Sequence, residues 1–123
     1  TYHVKETSFA NATSRLKRIH FGCAGLDHSL FSELLKSKTI ITNASGVHAG
    51  PVSEFAMGMI LYLSKQFGEC ENFKNDTEWT QWELARQTIQ LKGKTIGIIG
   101  FGQIGKAIAK KAKLFDMNVI ATR

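Results

Sequence analysis

The feature that most constrains the fold is a glycine-rich turn in the last quarter of the chain. Residues 100–105 are Gly-Phe-Gly-Gln-Ile-Gly, the pattern G-x-G-x-x-G. An apolar, β-branched run precedes the turn at 94–100, apolar side chains at helical spacing follow over 103–115, and a second short apolar run covers 118–121. This order predicts a buried strand, a tight turn, a helix and a second strand, which is the βαβ unit of a dinucleotide-binding fold.

The three glycines of the turn predict a site for a pyrophosphate. Gly100 permits the tight turn, Gly102 lets the backbone approach a phosphate because it has no Cβ, and Gly105 lets helix and strand pack closely. The N–H groups and partial positive charge of the helix N-terminus favour the same ligand. The alternative is a glycine-rich turn that binds nothing. The residues expected to bind the cofactor are Gly100, Gly102, Gln103, Ile104, Gly105, Thr122 and Arg123.

The choice between NAD and NADP depends on the end of the second strand. NAD sites usually have an Asp or Glu there, about 20 residues after the glycines, to bind the ribose hydroxyls. This chain has Thr122 and Arg123 instead. A guanidinium can bind a 2′-phosphate, so the sequence slightly favours NADP over NAD, unless the selecting residue follows Arg123.

A second strand–helix–strand pattern is predicted in the first fifty residues. Ile19 and Phe21 share one face of a short run that ends in the loop 22–25, Gly-Cys-Ala-Gly. Leucines and a phenylalanine at helical spacing predict a helix that begins near Asp27, with Asp27 or Ser29 as its cap, and a β-branched strand follows at 39–43. Strand, helix and strand in this order favour a parallel βαβ unit.

A long apolar helix is predicted to begin at Gly50-Pro51 and to continue to Gly68, buried around most of its circumference. Glu54 is expected to complement the dipole in its first turn. The next segment, 69–91, is polar, and Trp79 and Trp82 are the expected anchors of a weaker helical stretch.

The positive charge is confined to one region. Residues 1–91 have nine basic and nine acidic side chains, whereas 92–123 have seven basic side chains and only Asp116 as an acid, which gives the formal net charge of +6. Lys106, Lys110 and Lys113 share one helical face, opposite the apolar stripe. We interpret this face as solvated surface and expect no nucleic-acid partner, with a nucleic-acid patch as the alternative.

Several other classes of protein are excluded by composition. Cys23 and Cys70 have no CxxC or Cys/His spacing, so neither a metal site nor a disulfide framework is expected. The most apolar stretch, 52–63, is shorter than the roughly 20 residues that span a bilayer. The N-terminus has no apolar segment of a signal peptide. These features predict a cytoplasmic protein with reduced thiols and no membrane partner.

Three blocks of the sequence resemble the D-isomer-specific 2-hydroxyacid dehydrogenases. They are Leu16–His28, Ile40–Ala56 and Leu91–Lys106, in the order that the family has them. The resemblance implies an oxidoreductase that moves hydride between NAD(P) and a small 2-keto or 2-hydroxy acid. It further implies that main-chain N–H groups of Ala24 and Gly25 hold the substrate carboxylate, and that a homodimer forms through the dinucleotide-binding domain, to which the Gly50-Pro51 helix contributes.

The resemblance also predicts the domain organisation. The expected fold class is α/β, with parts of two Rossmann-like domains: 1–49 as the end of a flavodoxin-like substrate domain, and 50–123 as the interdomain helix and first βαβ unit of the NAD(P)-binding domain. The family's catalytic Arg, Glu and His lie further downstream of the glycine motif. No residue of this chain is therefore assigned catalysis, and 1–123 alone is expected to be an inactive fragment. The alternative is a non-catalytic NAD(P)-binding or partner-binding module of the same fold.

Overall fold

The computed structural model describes residues 1, 3–12, 16–73 and 81–123. The chain divides into two compact units, Thr1–Val47 and His48–Arg123. Each unit contains one two-stranded sheet, and the strands of both sheets run parallel. The predicted α/β class with parallel strands is confirmed.

The first unit is built on the predicted strand–helix–strand pattern. Ile19 on the first strand lies opposite Ile41 on the second. Ile19, Phe21 and Leu34 are buried together, and the two strand residues point to the same face, as their spacing predicts. The elements in chain order are α1 (Glu6–Ala10), β1 (Arg18–Phe21), α2 (Ser32–Lys36) and β2 (Ile40–Asn43).

The helix of the first unit begins later than predicted. Neither Asp27 nor Ser29 caps it, because α2 begins at Ser32 and Phe31 occupies the N-cap position with an extended backbone. Ser29 is buried and its hydroxyl pairs with His3 Nδ1 at 3.1 Å. The Phe31 ring packs edge-on against Phe9 of α1, with ring centroids 5.5 Å apart. Contacts with the N-terminal segment therefore override the local capping preference.

The second unit packs one face of its sheet against helices. Its strands pair in parallel, with Ile96 opposite Val119. The buried residues Met57, Leu91, Ala112 and Met117 form its core. The elements in chain order are α3 (Ala49–Ser64), α4 (Phe67–Asn72), α5 (Gln81–Gln87), β3 (Thr95–Ile99), α6 (Gln103–Leu114) and β4 (Asn118–Thr122).

The long helix differs from its prediction in length and burial. It ends at Ser64, because Gln66 adopts a left-handed backbone (φ 55°) that separates α3 from α4. It is not buried around most of its circumference: Phe55 and Leu63 are both 69% exposed. The reason is that α3 packs on α6 through one side, where Met57 is buried.

Two further burial predictions are wrong. Trp82 on α5 is 72% exposed, so little of its ring is buried among the described residues, and Trp79 lies outside them. Strand β3 was predicted to be buried, yet Ile99 is 95% exposed and only Ile98 of the strand is buried. The cause is one-sided coverage, because α6 packs against the sheet face that carries Ile96 and Ile98. Within the described ranges, no helix has the length and hydropathy needed to cross a membrane.

Candidate functional site

The turn after β3 is held in shape by glycine geometry and by β4. Gly100 has φ 95°, a left-handed backbone that other residues adopt only with strain. The N–H groups of Gly100 and Phe101 both donate to the Thr122 carbonyl oxygen, at 3.0 and 3.1 Å. The turn is therefore fixed to the carboxyl end of the neighbouring strand.

Gly105 is required for the packing of helix against turn. A Cβ built at this position overlaps the Gly100 carbonyl oxygen and lies 3.1 Å from Ile98 Cγ2. Since the first of these neighbours is backbone, no rotamer change relieves the overlap. The third glycine of the motif therefore has the steric role that the motif predicts.

Gly102 has the opposite surroundings. A Cβ built there has no neighbour within 4 Å among the described residues, which leave the space beside it open. Gly102 is the N-cap residue of α6, and no side chain caps the helix. An open approach to an uncapped helix N-terminus is the geometry that a phosphate group fits.

The first turn of α6 supplies hydrogen-bond donors to this open space. The first intrahelical bond after the turn runs from the Lys106 N–H to the Gly102 carbonyl oxygen, at 2.9 Å. The N–H groups of Gln103, Ile104 and Gly105 precede it and have no capping side chain. The dipole of a helix of twelve residues adds partial positive charge there. The arrangement therefore fits the pyrophosphate of a dinucleotide.

The end of β4 lies beside the same turn. Thr122 pairs with Ile99 in the parallel register, and its carbonyl oxygen accepts both N–H groups of the turn. Arg123 is the next residue, and both side chains are exposed. Arg123 forms no ion pair with any described residue, so its guanidinium is available to an anion near the turn.

The basic side chains of the second unit fall into two groups. Lys111 is partly buried: its Nζ donates to the buried Ser53 Oγ at 2.8 Å and lies 4.0 Å from Glu54 Oε1. Because α3 begins at Ala49, Glu54 lies in its second turn, where it pairs with Lys111. The predicted role of Glu54 in the first turn of the helix is therefore wrong. Lys92 pairs with Asp116 at 3.5 Å. Lys106, Lys110 and Lys113 form no ion pair within the described part of the chain.

The loop predicted to hold a substrate lies in the first unit, directly after β1. Ala24 and Gly25 are both exposed. The carbonyl oxygen of Cys23 accepts from the Ala44 N–H at 3.2 Å, that of Ala24 from Asn43 Nδ2 at 2.7 Å, and that of Gly25 from Cys23 Sγ at 3.1 Å. No described residue accepts a hydrogen bond from the amide N–H of Ala24 or Gly25. The carbonyl groups of the loop are thus hydrogen-bonded, and the N–H groups of Ala24 and Gly25 remain as donors for a ligand.

The hydrogen bond from Asn43 to this loop was not predicted from the sequence. A polar residue at the end of β2 was a signal, because the carboxyl ends of parallel strands share one sheet edge with the loops that follow them. The pairing of Phe21 with Asn43 brings this side chain to the loop after β1.

Two carboxyl groups interact in the first unit. The carboxyl group of Glu33 forms a hydrogen bond with Glu6 and repels it, and this raises the pKa of Glu6 above its ordinary value of 4.5. Glu6 belongs to α1 and Glu33 belongs to α2. Neither Cys23 nor Cys70 forms a disulfide bond with a described residue. Among the described residues, no three His, Cys, Asp or Glu side chains come together to hold a metal ion.

Comparison with known proteins identifies the family. The family model of the NAD binding domain of D-isomer specific 2-hydroxyacid dehydrogenases matches residues 57–123. A glyoxylate reductase from Thermococcus litoralis is 34% identical over 111 residues, which are 86% of this chain and 34% of that protein. A glyoxylate/hydroxypyruvate reductase from Arabidopsis thaliana is 36% identical over 95 residues, 77% of this chain and 30% of that protein.

Solved structures agree with the sequence comparison. A glycerate dehydrogenase related protein from Thermoplasma acidophilum superposes with a TM-score of 0.70 at 30% identity, covering 89% of this chain and 37% of that one. A dehydrogenase from Rhizobium meliloti has the same fold, with a TM-score of 0.73 at 24% identity over 99% of this chain and 42% of that one. The chain spans about a third of the length of the curated relatives it matches. The predicted family resemblance is confirmed: the chain belongs to the D-isomer-specific 2-hydroxyacid dehydrogenases, and residues 57–123 belong to their NAD binding domain.

Proposed function

We propose that the gene product that contains this sequence is an oxidoreductase acting on the CH–OH group of small 2-hydroxy acids, with NAD(P) as the hydride carrier. The observation that carries the proposal is the uncapped N-terminus of α6, which opens onto free space at Gly102. Relatives named glyoxylate reductase and hydroxypyruvate reductase support a small 2-keto acid as the substrate that is reduced.

The two units receive different parts of the reaction in this proposal. Residues 1–49 are assigned to the C-terminal part of the substrate domain, and 50–123 to the interdomain helix and first βαβ unit of the NAD(P)-binding domain. The division of the chain between Val47 and His48 supports this assignment. So does the match of the NAD binding domain to 57–123.

The cofactor is assigned to the glycine turn and the end of β4. The N–H groups of Gln103, Ile104 and Gly105 bind the pyrophosphate, and Gly102 leaves room for it. When bound, the nicotinamide supplies or accepts the hydride. Gly100 shapes the turn, Thr122 fixes it through its carbonyl oxygen, and the Arg123 guanidinium binds a 2′-phosphate, which favours NADP over NAD.

The substrate carboxylate is assigned to the loop after β1. The main-chain N–H groups of Ala24 and Gly25 are the donors, since their side chains offer none and the loop's carbonyls are already engaged. We assign the family's catalytic Arg, Glu and His to no residue of 1–123. We expect purified 1–123 to show little or no turnover.

The assembly assigned to the protein is a cytoplasmic homodimer formed through the dinucleotide-binding domain. Apolar side chains on the side of α3 away from α6 support this, because Phe55 and Leu63 are largely exposed. An apolar face of this kind is typical of an interface with another subunit. The basic face of α6 is assigned to solvent and not to nucleic acid.

The test is turnover by the purified gene product. Oxidation of NADPH and NADH is followed by absorbance with glyoxylate, hydroxypyruvate and pyruvate in turn. We expect oxidation of NADPH with at least one of these acids and a lower kcat/KM with NADH. If neither cofactor is oxidised with any of the three, although both bind, the non-catalytic binding module replaces the enzyme as the function.

A further inference from the structure

Asn43 links the end of β2 to the loop that follows β1. Its Nδ2 donates to the Ala24 carbonyl oxygen at 2.7 Å, and its Oδ1 accepts from the Ser45 N–H at 3.3 Å. The side chain is half-buried, whereas the loop it contacts is exposed. One amide group therefore joins the loop to the segment that leads towards the unit boundary after Val47.

The orientation of the Asn43 amide follows from its two partners. The Ser45 N–H can only donate and the Ala24 carbonyl can only accept, so exchanging the amide nitrogen and oxygen would break both hydrogen bonds. The contact with Ser45 also holds the side chain in one rotamer, in the manner of an Asx turn. The amide donor is thus aimed at Ala24 before any ligand arrives.

The hydrogen bond to Ala24 also orients the N–H of Gly25. The Ala24 carbonyl and the Gly25 N–H belong to one planar peptide group, and in a trans peptide they point in opposite directions. Holding the carbonyl towards Asn43 therefore directs the Gly25 N–H away from it. The bond from Ala44 N–H to the Cys23 carbonyl does the same for the Ala24 N–H. Only the first of these two supports comes from a side chain, so it can be removed by truncating that side chain without changing the backbone.

We propose that Asn43 is a positioning residue for substrate binding: it orients the Gly25 N–H for a carboxylate without touching the substrate itself. This inference rests on the proposed function, in which that N–H binds the carboxylate of a 2-keto acid. Gly25 needs such support because glycine has the widest conformational freedom of any residue, so an unsupported loop would point this donor in many directions.

The experiment compares three variants of the gene product by steady-state kinetics. Asn43→Ala removes both hydrogen bonds, and Asn43→Ser keeps an oxygen for the Ser45 N–H but is too short to reach Ala24. Thr42→Val changes the neighbouring residue of β2, whose hydroxyl pairs with His20, and is the control. We expect both Asn43 variants to raise the KM of the keto acid about tenfold, the scale of one hydrogen bond to a charged group. In the Asn43 variants, the KM of NADPH and the kcat should change less than about twofold, which is within a few tenths of a kcal/mol. In Thr42→Val, all three constants should stay within the same limit.

A second readout does not depend on turnover. The amide signal of Gly25 is followed by NMR in the wild-type and Asn43→Ser proteins while oxalate, an unreactive dicarboxylate, is added. We expect oxalate to shift this signal in the wild type and to need about ten times the concentration in the variant. A wild type that turns over while Asn43→Ser leaves the KM of the keto acid unchanged overturns the role of Asn43 and leaves the proposed function intact. If the wild type shows no turnover, but its Gly25 signal responds to oxalate and that of Asn43→Ser does not, the proposed function is overturned and the positioning role of Asn43 is supported.

Discussion

The two loops assigned to ligands are both main-chain structures, but they are built by different means. The turn after β3 depends on missing side chains: Gly105 has no room for a Cβ, and Gly102 faces open space. The loop after β1 depends on hydrogen bonds to its carbonyls, one of them from the Asn43 side chain. A turn that needs glycines for steric reasons can be recognised as a motif in the sequence. A loop held by hydrogen bonds from a distant segment has no such motif.

The difference has an energetic consequence. A steric overlap with backbone cannot relax cheaply, so substitution of Gly105 should affect folding. A single hydrogen bond at an exposed loop contributes less, so substitution there should affect binding more than folding. Substitutions at the turn, at the end of β4 and in the helices test this contrast.

Gly105→Ala should give the largest loss of stability. The new Cβ meets the Gly100 carbonyl oxygen and Ile98, and overpacking of this kind costs about 1–3 kcal/mol. Hydrogen exchange of the α6 amides measures the loss as a lower opening free energy. Gly97→Ala in β3 is the matched control, because its Cβ has open space and it should change stability by less than about 0.5 kcal/mol. Equal effects of the two substitutions would refute the steric account of the turn.

Arg123→Ser should change cofactor preference without changing the fold. Loss of the guanidinium removes the partner assigned to the 2′-phosphate, and we expect the ratio of kcat/KM for NADPH over NADH to fall about tenfold. Lys110→Ser is the control, because it removes one exposed positive charge from α6 and leaves the end of β4 unchanged. A ratio that falls equally in both variants would point to net charge in place of a local contact.

Lys111→Met should have a smaller effect on stability. It removes the hydrogen bond to the buried Ser53 hydroxyl and keeps most of the side-chain volume, so we expect a loss of about 1 kcal/mol. The measurement is the denaturation midpoint of the chain. Lys110→Met, at an exposed position of the same helix, should stay within about 0.5 kcal/mol of the wild type. If the two variants unfold alike, Lys111 does not join α3 to α6 as described.

The smallest effect is expected in the first unit, from Glu6. Its raised pKa means that the folded unit binds a proton more readily than the unfolded chain. The favourable Glu6–Glu33 contact is therefore present below the ordinary carboxyl pKa and is lost as pH rises through the raised value. Glu6→Gln should raise the thermal midpoint near neutral pH and leave it almost unchanged in acid. A difference in thermal midpoint between Glu6→Gln and the wild type that is constant with pH would contradict this. Glu71→Gln, at an exposed position of α4, is the control.

The sequence predicted the elements whose pattern is local. Strand β1 follows from Ile19 and Phe21 on one face, the other three strands follow from short apolar runs, and α6 follows from its glycine turn and apolar stripe. The conformational role of Gly100 and the steric role of Gly105 could also be predicted, because the atoms that a Cβ at Gly105 would meet belong to residues 98 and 100, close by in the chain.

The failures all depend on contacts between distant segments. The start of α2 was predicted too early because Ser29 binds His3 in place of capping the helix. The burial of α3 was overestimated because apolar spacing does not state how many neighbours a helix has, and α6 covers only one side. Asn43 was missed because its partner Ala24 is 19 residues away and is brought near by the strand pairing.

Calorimetric titration of NADPH into the wild-type and Gly102→Val gene products measures whether the glycine turn holds the phosphates of a dinucleotide. The valine side chain enters the space that protein atoms leave open at Gly102. We predict that the dissociation constant rises by about tenfold or more while the unfolding midpoint moves by less than the equivalent of about 0.5 kcal/mol. Unchanged affinity for NADPH in a folded Gly102→Val protein would contradict the claim.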